Sequence, residues 1–269
     1  MKFDGITIVT DMDGTLLTSD KKISQKNKEA IEFFRQNGGT FTVASGRIYP
    51  KVLMYAEELK LNTPFISHNG CVIYDYSNDN VVYKRVFDKK VIDILNKMMN
   101  DFPDYGFEAA ALDDVYFLRD GEFVQKHIFD EEFTNLKWIN PDEINFEVTK
   151  ILIAHSPEKI SELEKIVPPV YYNYSAFRSD LYYFELAPLG VSKGSALPEL
   201  KKILGEKAKK IYTIGDNIND LEMIKEADVG VAVKNALPGL KENADFILPY
   251  TNNENAIAGL IELIEKGTI

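Results

Sequence analysis

The sequence predicts an α/β protein: a doubly wound parallel sheet interrupted by a mixed α+β insert. Three observations point to it. Short β-branched runs alternate with amphipathic helical patterns at both ends of the chain. Asp11, Ser45 and Asp216, all chemistry-bearing residues, stand just after such runs, where open parallel sheets place their sites. The alternation lapses from about Val82 to Ala187, where aromatic-rich strand patterns take over.

"ITIVT" (6–10) reads as a buried strand, and "SQKNKEAIEFFRQNG" (24–38) as a helix capped by Ser24 and stopped at Gly38. "TFTVAS" (40–45) is the next strand, followed by a helix near 50–60 that begins around Pro50 and by the strand "PFISH" (64–68). The pattern returns late. A helix over 192–204 precedes "KIYTIG" (210–215), a helix over 217–226 precedes "VGVAV" (229–233), and a helix over 236–243 precedes "FIL" (246–248). A last helix spans 253–266. Strands alternating with helices predict a parallel sheet covered on both faces. The insert carries strand patterns at "DDVYFLRDG" (113–121) and "DLYYFEL" (180–186), with helices near 88–100 and 157–167. The expected division is a first core segment over 1–84, an insert over 85–187 and a second core segment over 188–269.

Composition sets limits on function. The 269 residues suffice for one large or two modest domains, and 45% hydrophobic with 27% charged residues is ordinary for a globular chain. A net charge of −11 argues against nucleic acid or an anionic membrane as partner, because both need a basic surface. A small anionic substrate stays open, since a metal ion or a few local cations can reverse the field in one cleft. Cys71 is the single cysteine, so neither an intramolecular disulfide nor a cysteine-based zinc site can form. With no secretory pattern at Met1–Asp11 and no apolar run of ~18 residues, a cytoplasmic protein without a membrane span is expected. Nothing in the sequence sets an oligomeric state.

"DMDGT" (11–15) can be read as a strand-ending turn, because Asp and Gly suit such turns for backbone reasons. It cannot be a calcium loop of the helix–loop–helix kind. Placing Gly14 at the sixth position puts Val9 at the first and Asp20 at the last, between a strand and a helix. The chemical reading is that Asp11 and Asp13 serve Mg²⁺ and phosphate. Mg²⁺ prefers oxygen ligands, and an Asp can attack phosphorus. Such an attack brings an anion towards a dianion, so cations and hydrogen-bond donors must come from elsewhere. The chain offers them in "TVASGR" (42–47) with Ser45, Gly46 and Arg47, in "GVSKGSAL" (190–197) with Lys193 at the start of a helix, and in "TIGDNINDLEMI" (213–224) with Asp216, Asn219 and Asp220. Singly, Ser45 could cap a helix, Lys193 could be a solvated charge, and either late Asp could cap a turn. Together, in one doubly wound pattern, they point to one site.

These four segments resemble the four motifs of the haloacid dehalogenase superfamily. "SHNGCVIYD" (67–75), "LAPLGVSKGSAL" (186–197) and "GDNINDLEM" (215–223) are similar to its Cof-type, class IIB sugar-phosphatase branch. The likeness covers nearly the whole chain and implies a Rossmann-like core with an α/β cap between the second and third motifs. Positions 13 to 45 leave room for little beyond a helix and a strand, and positions 45 to 193 for a whole further domain. An acid at Asp13 fits transfer from a phosphate ester, because superfamily dehalogenases lack an acid there and the ion-pumping ATPases carry Thr.

The resemblance also implies roles. Asp11 becomes the aspartyl-phosphate. Asp13 protonates the leaving alcohol and then activates water. Ser45 and Lys193 hold phosphoryl oxygens and charge. Mg²⁺ is held by Asp11, the Asp13 carbonyl and Asp216, while Asp220 and Asn219 lie at the metal or orient its waters and the phosphate. Met12, Gly14, Gly46 and Arg47 line the phosphate, and Asn69, in a local turn with Gly70, borders it. The implied function is an Mg²⁺-dependent phosphatase for small phosphorylated metabolites, with the cap setting the fit of the leaving group. A phosphomutase and a non-catalytic phosphate sensor are the alternatives. His68 reads as structural, and His127 and His155 have no partner at metal-ligand spacing. Tyr171-Tyr172-Asn173-Tyr174 and Tyr182-Tyr183-Phe184 read as insert core and sheet surface. Some of these, like Arg178, are candidates to face the leaving group.

Overall fold

The computed structural model describes residues 1–170 and 173–269. In chain order it forms β1 (Ile6–Thr10), α1 (Gln25–Gln36), β2 (Thr40–Val43), α2 (Tyr49–Glu58), β3 (Pro64–Ser67), β4 (Val72–Asp75) and β5 (Asn80–Lys84). Next come α3 (Val91–Asp101), β6 (Gly106–Ala110), β7 (Val115–Arg119), α4 (Glu122–Asp130), β8 (Lys137–Trp138), β9 (Lys150–Ala154), α5 (Pro157–Val170), β10 (Tyr174–Arg178) and β11 (Tyr183–Pro188). The chain closes with α6 (Leu197–Leu204), β12 (Lys210–Gly215), α7 (Leu221–Glu226), β13 (Val229–Ala232), α8 (Pro238–Lys241), β14 (Phe246–Ile247) and α9 (Ala256–Glu265). Two compact units result: Met1–Tyr83 with Ser192–Ile269, and Lys84–Val191.

In the first unit the strands run in the order β14-β13-β12-β1-β2, every pair parallel. Their side chains are almost all buried, as a parallel sheet covered on both faces demands. A single parallel bridge from Ala44 to Ile66 brings β3 alongside β2, and β3 turns back antiparallel into β4. Successive strands are laid to one side of β1 early in the chain and to the other side late. The switch point therefore falls between the carboxyl ends of β1 and β12.

Local chemistry sets the helix limits. Ser24 accepts the Asn27 N–H and starts α1, whose Asn27, Ile31 and Phe34 repeat at helical spacing and are buried. α9 is buried at nearly every position, and its Ala258 N–H is taken by the Asn27 side chain. The late helices are shorter than expected. Ser192 and Ser195 cap each other's backbone N–H groups in a turn, so α6 begins only at Leu197 and Lys193 precedes it. Asn217 caps a 3₁₀ turn over Ile218–Asp220 before α7.

The second unit is a six-stranded sheet in the order β10-β11-β9-β6-β7-β8, antiparallel except for β7 with β8. One face packs Phe107, Ala109, Ile151, Ile153, Phe184 and Leu186 against Val91, Leu95 and Met98 of α3 and Ile160, Leu163 and Val167 of α5. The sequence reading did not anticipate α4, which buries only Val124 and Ile128 and so carries little periodic signal. Tyr171 and Tyr172 lie outside the described residues. Arg178, a candidate for the leaving group, donates to the Asp180 and Leu181 carbonyls and the Ser161 hydroxyl.

Because the second unit has its own apolar core, a cavity there should destabilise it directly. Phe107→Ala should cost about 3–5 kcal/mol in denaturant unfolding, against little change for a truncation of the exposed Phe129.

Candidate active site

The site forms where β1 and β12 end side by side. The β1 ladder runs one residue past the strand, with Asp11 N–H on the Ile214 carbonyl at 2.9 Å and Ala44 N–H on the Thr10 carbonyl at 2.8 Å. Asp11 is thus delivered at the carboxyl edge of the sheet and Asp216 at the end of the neighbouring strand. Oxygens of Asp11, Asp216 and Asp220 all lie within 4.8 Å of one another. Lys193 bridges two of these acids, with its Nζ 2.6 Å from Asp11 Oδ1 and 2.7 Å from Asp220 Oδ1, and is only 1% exposed. Asp220 Oδ2 also accepts the backbone N–H groups of Asp216 and Asn217, at 3.0 and 3.2 Å. Thr15 donates its hydroxyl to Asp216 Oδ1 at 3.0 Å.

One ammonium cannot neutralise three clustered carboxylates, two of them buried and Asp216 half-buried, and the ionisation of the site records the excess. Burial and then the charge of Asp220 push the Asp11 carboxyl well above its usual range, with Lys193 pulling the other way. The same two causes push Asp216 up to about 7. Burial alone would lower the Lys193 ammonium; the charges of Asp11 and Asp220 outweigh it and keep the lysine protonated.

Asp13 stands apart from this cluster. Its carboxylate takes Arg47 in a two-pronged pair, Nε to Oδ2 at 2.8 Å and Nη2 to Oδ1 at 2.9 Å, and Lys21 Nζ at 2.7 Å. Burial works to raise it, but the Arg47 hydrogen bonds and charge, aided by Lys21, hold it well below the usual carboxylate range. Ser45 leaves β2 at the same edge and its Oγ accepts the Arg47 N–H at 3.2 Å.

The turn between β3 and β4 completes the rim. His68, Asn69 and Gly70 all have positive φ, at 51°, 53° and 102°. Two non-glycine residues in succession in that region mark a backbone held by its surroundings. His68 is structural, its Nε2 accepting the Tyr49 N–H at 3.1 Å. Asn69 Oδ1 accepts from Asn219 at 3.3 Å, and its amide stands against Gly46. A Cβ on Gly70 would come within 2.0 Å of the Ser192 carbonyl, so the absent side chain lets the turn carrying Lys193 close in. Gly14, at φ +81°, is likewise fixed by its neighbour: a Cβ there would sit 2.4 Å from Asp216 Oδ2. Met12 is fully buried, and its carbonyl accepts the Thr15 and Leu17 N–H groups.

The expected residues therefore gather in three linked sets: Asp11, Asp216, Asp220 and Lys193; Asp13, Ser45 and Arg47; and Gly46, Asn69 and Asn219. Four contributors escaped the sequence reading as site residues. Thr15 holds Asp216, and Lys21 holds Asp13. Asn235 donates to the Gly14 carbonyl at 2.8 Å, and Asn252 to the Leu17 carbonyl at 2.9 Å. Asn235 lies three residues past the end of β13, near enough to a strand end for that rule to have pointed to it. Lys21, in an exposed turn, offered no such signal.

Buried oxygen donors with surplus negative charge suit a hard divalent cation such as Mg²⁺, which needs carboxylates and tolerates retained waters. Only acidic oxygens, with no cysteine or histidine among them, make up this cluster. Among the described residues no helix is long and apolar enough to cross a membrane.

A doubly wound sheet that gathers at its carboxyl edge an acid cluster, a serine at a strand end and a buried lysine from the turn before a helix is the arrangement of the haloacid dehalogenase class. The family model of the haloacid dehalogenase-like hydrolases matches residues 8–261, and the chain belongs to that family. It is 33% identical over 255 residues to the 5-amino-6-(5-phospho-D-ribitylamino)uracil phosphatase YcsE of Bacillus subtilis, covering 94% of this chain and 93% of that protein. A crystal structure of a haloacid dehalogenase-like hydrolase from Bacteroides thetaiotaomicron superposes with a TM-score of 0.82 at 30% identity, over 97% of this chain and 99% of that one. The fold is also that of a subclass IIB sugar phosphatase, with a TM-score of 0.85 at 21% identity over 98% and 99% of the two chains.

The electrostatics predict a pH-dependent effect of metal on stability. Asp11 and Asp216 bind protons more tightly folded than unfolded, so without metal the protein should gain stability as pH falls from about 7 towards 4. Added Mg²⁺ should therefore raise the Tm more at pH 8 than at pH 5, in thermal unfolding with Mg²⁺ or with EDTA. An equal increment at both pH values would contradict the charge excess.

Proposed function

We propose that the protein is an Mg²⁺-dependent phosphatase that hydrolyses small phosphate monoesters through an aspartyl-phosphate on Asp11. The observation that carries the reading is the Lys193 ammonium bridging Asp11 and Asp220 beside the Asp216 carboxylate. It supplies a nucleophile, a fixed cation and a site for a second cation within one buried cluster. The names of the relatives, YcsE among them, support the reaction class. Asp11 and Asp216, with the Asp13 carbonyl, would hold the Mg²⁺, whose charge offsets the repulsion between nucleophile and phosphate. Asp220 serves better as a brace than as a ligand, because Lys193 and two backbone N–H groups already engage it.

In the first step an Asp11 oxygen forms a bond to phosphorus as the bond from phosphorus to the leaving oxygen breaks. Asp13 gives that oxygen a proton. In the second step water attacks the phosphorus, Asp13 takes the proton, and the Asp11–phosphorus bond breaks to release inorganic phosphate. Ser45, Asn69, Asn219 and the N–H groups of Met12, Gly14 and Gly46 serve as donors to the phosphoryl oxygens. Arg47 and Lys21 hold Asp13 as the carboxylate that the second step uses. For the first step Asp13 must carry a proton, taken from water in the preceding turnover, and so be released from that pairing, which frees Arg47 for the phosphate.

The test is phosphate release from p-nitrophenyl phosphate and a panel of sugar phosphates, with Mg²⁺ or EDTA, for the wild type and for Asp11→Asn. Release should need the metal and vanish in Asp11→Asn. Activity that survives either change would overturn the mechanism, and an isomeric sugar phosphate in place of inorganic phosphate would make the protein a mutase. Asp13→Asn should lower kcat for alkyl phosphates by about 10²–10⁴-fold, and by less for p-nitrophenyl phosphate, whose leaving group departs unprotonated.

A further inference from the structure

One buried titratable residue of the first unit has no part in the reaction above. His68 is 0% exposed, and its φ of 51° lies in the left-handed region, which is costly for a residue with a side chain. A buried imidazole also has to find hydrogen-bond partners, whereas a phenylalanine would fill the same space with nothing to satisfy. Both costs fall one residue before Asn69.

Four hydrogen bonds stitch the end of β3 and its turn to the loop between β2 and α2. Ser45 N–H donates to the Ile66 carbonyl at 3.0 Å, Asn69 N–H to the Ser45 carbonyl at 3.0 Å, and His68 N–H to the Arg47 carbonyl at 2.9 Å. These three join backbone groups and make little demand on residue type. The fourth needs this side chain: Tyr49 N–H donates to His68 Nε2 at 3.1 Å. Ile48, which precedes α2, makes no side-chain hydrogen bond to the first turn of the helix. His68 thus supplies from another loop the acceptor that a cap residue normally brings. It holds both peptide groups that flank Ile48, one through its own N–H and one through its ring. Arg47, whose guanidinium forks onto Asp13, hangs from the first of these peptides.

We propose that His68 is a positioning residue for phosphate binding: its ring latches the start of α2 onto the β3–β4 turn and so fixes Ser45, Arg47 and Asn69 relative to one another. The inference rests on the phosphatase reading for what those three residues bind. Two observations support it. The latch is chemically specific, because the ring must present a lone pair at the reach of Nε2. The residues on either side of it are the ones that the proposed reaction uses. Asn69 follows His68 directly, with its N–H on the Ser45 carbonyl and its amide against Gly46, and the Ser45 hydroxyl accepts the Arg47 N–H. Slack at Tyr49 therefore displaces groups on two loops at once. His68 acts through these residues and not on the phosphate itself.

His68→Phe and His68→Gln in the full-length protein test this, since both keep the backbone cost but only Gln offers an acceptor near the position of Nε2. For His68→Phe, kcat/KM should fall about tenfold, mainly through KM, at a temperature where the variant is fully folded. The fall should be equal for p-nitrophenyl phosphate and a sugar phosphate, which share only the phosphate, and the inhibition constant of inorganic phosphate should rise by the same factor. His68→Gln should recover KM to within about threefold of the wild type. A KM for His68→Phe within about twofold of the wild type, whatever its Tm, would make His68 a packing residue and overturn the inference. So would a Gln variant as impaired as the Phe variant. If His68→Phe does not fold, His68→Asn takes its place. The left-handed backbone favours Asn, its amide is too short for the Tyr49 N–H, and the same rise in KM is expected. If the wild type releases phosphate from no ester, the phosphatase reading fails on its own. Calorimetric titration of inorganic phosphate with Mg²⁺ then decides the inference, which requires weaker binding to His68→Phe and recovery in His68→Gln. Absence of phosphate binding to the wild type would end both.

Discussion

The first unit is organised around one buried ammonium. Lys193 reaches both Asp11, after β1, and Asp220, after β12, and ties the two together at that depth. Burying an ion pair is seldom the cheapest way to stabilise a fold, whereas removing one partner of an existing pair costs about 3–5 kcal/mol. The arrangement is therefore retained for what it does. It fixes the orientation of Asp11 while leaving the cluster short of positive charge. Much nearby backbone follows from bringing Lys193 in, including the reciprocal serine caps around it and the close approach of Gly70 to Ser192.

The remaining negative charge defines the opposite boundary. Asp216 is held by Thr15 on one side and pressed against Gly14 on the other, so the loop after β1 and the loop after β12 form one surface. Asn235 and Asn252 pin that loop from the rest of the sheet edge. An acid cluster so constrained cannot spread to relieve its own repulsion, which a bound proton or a cation offsets.

Much of this is legible in the sequence, because parallel strands write themselves as apolar runs and their ends as polar residues. Asp11, Ser45 and Asp216 can be placed by that pattern alone, and Lys193 joins them through its motif. The starts of α6 and α7 cannot. A turn made by Ser192 and Ser195 and a 3₁₀ turn capped by Asn217 use residues that equally well begin a helix. The pairing of Asp13 with Arg47 and Lys21 is hidden for another reason: it depends on side-chain reach across loops, which no spacing rule encodes. In the second unit, α4 shows too few apolar positions to be read as a helix.

The first unit is assembled from two stretches of chain, Met1–Tyr83 and Ser192–Ile269, with the second unit contiguous between them. On the ribosome this sets an order of events. β1 emerges early but its central partner β12 is made only after the second unit, so one edge of the strand waits without its neighbour while the intervening domain is synthesised. The contiguous domain can fold as soon as it is complete. A nascent chain carries Asp11 from the outset yet has neither Lys193 nor Asp216 until the second unit has been made. The acid cluster and its lysine are therefore absent from incomplete chains by connectivity alone.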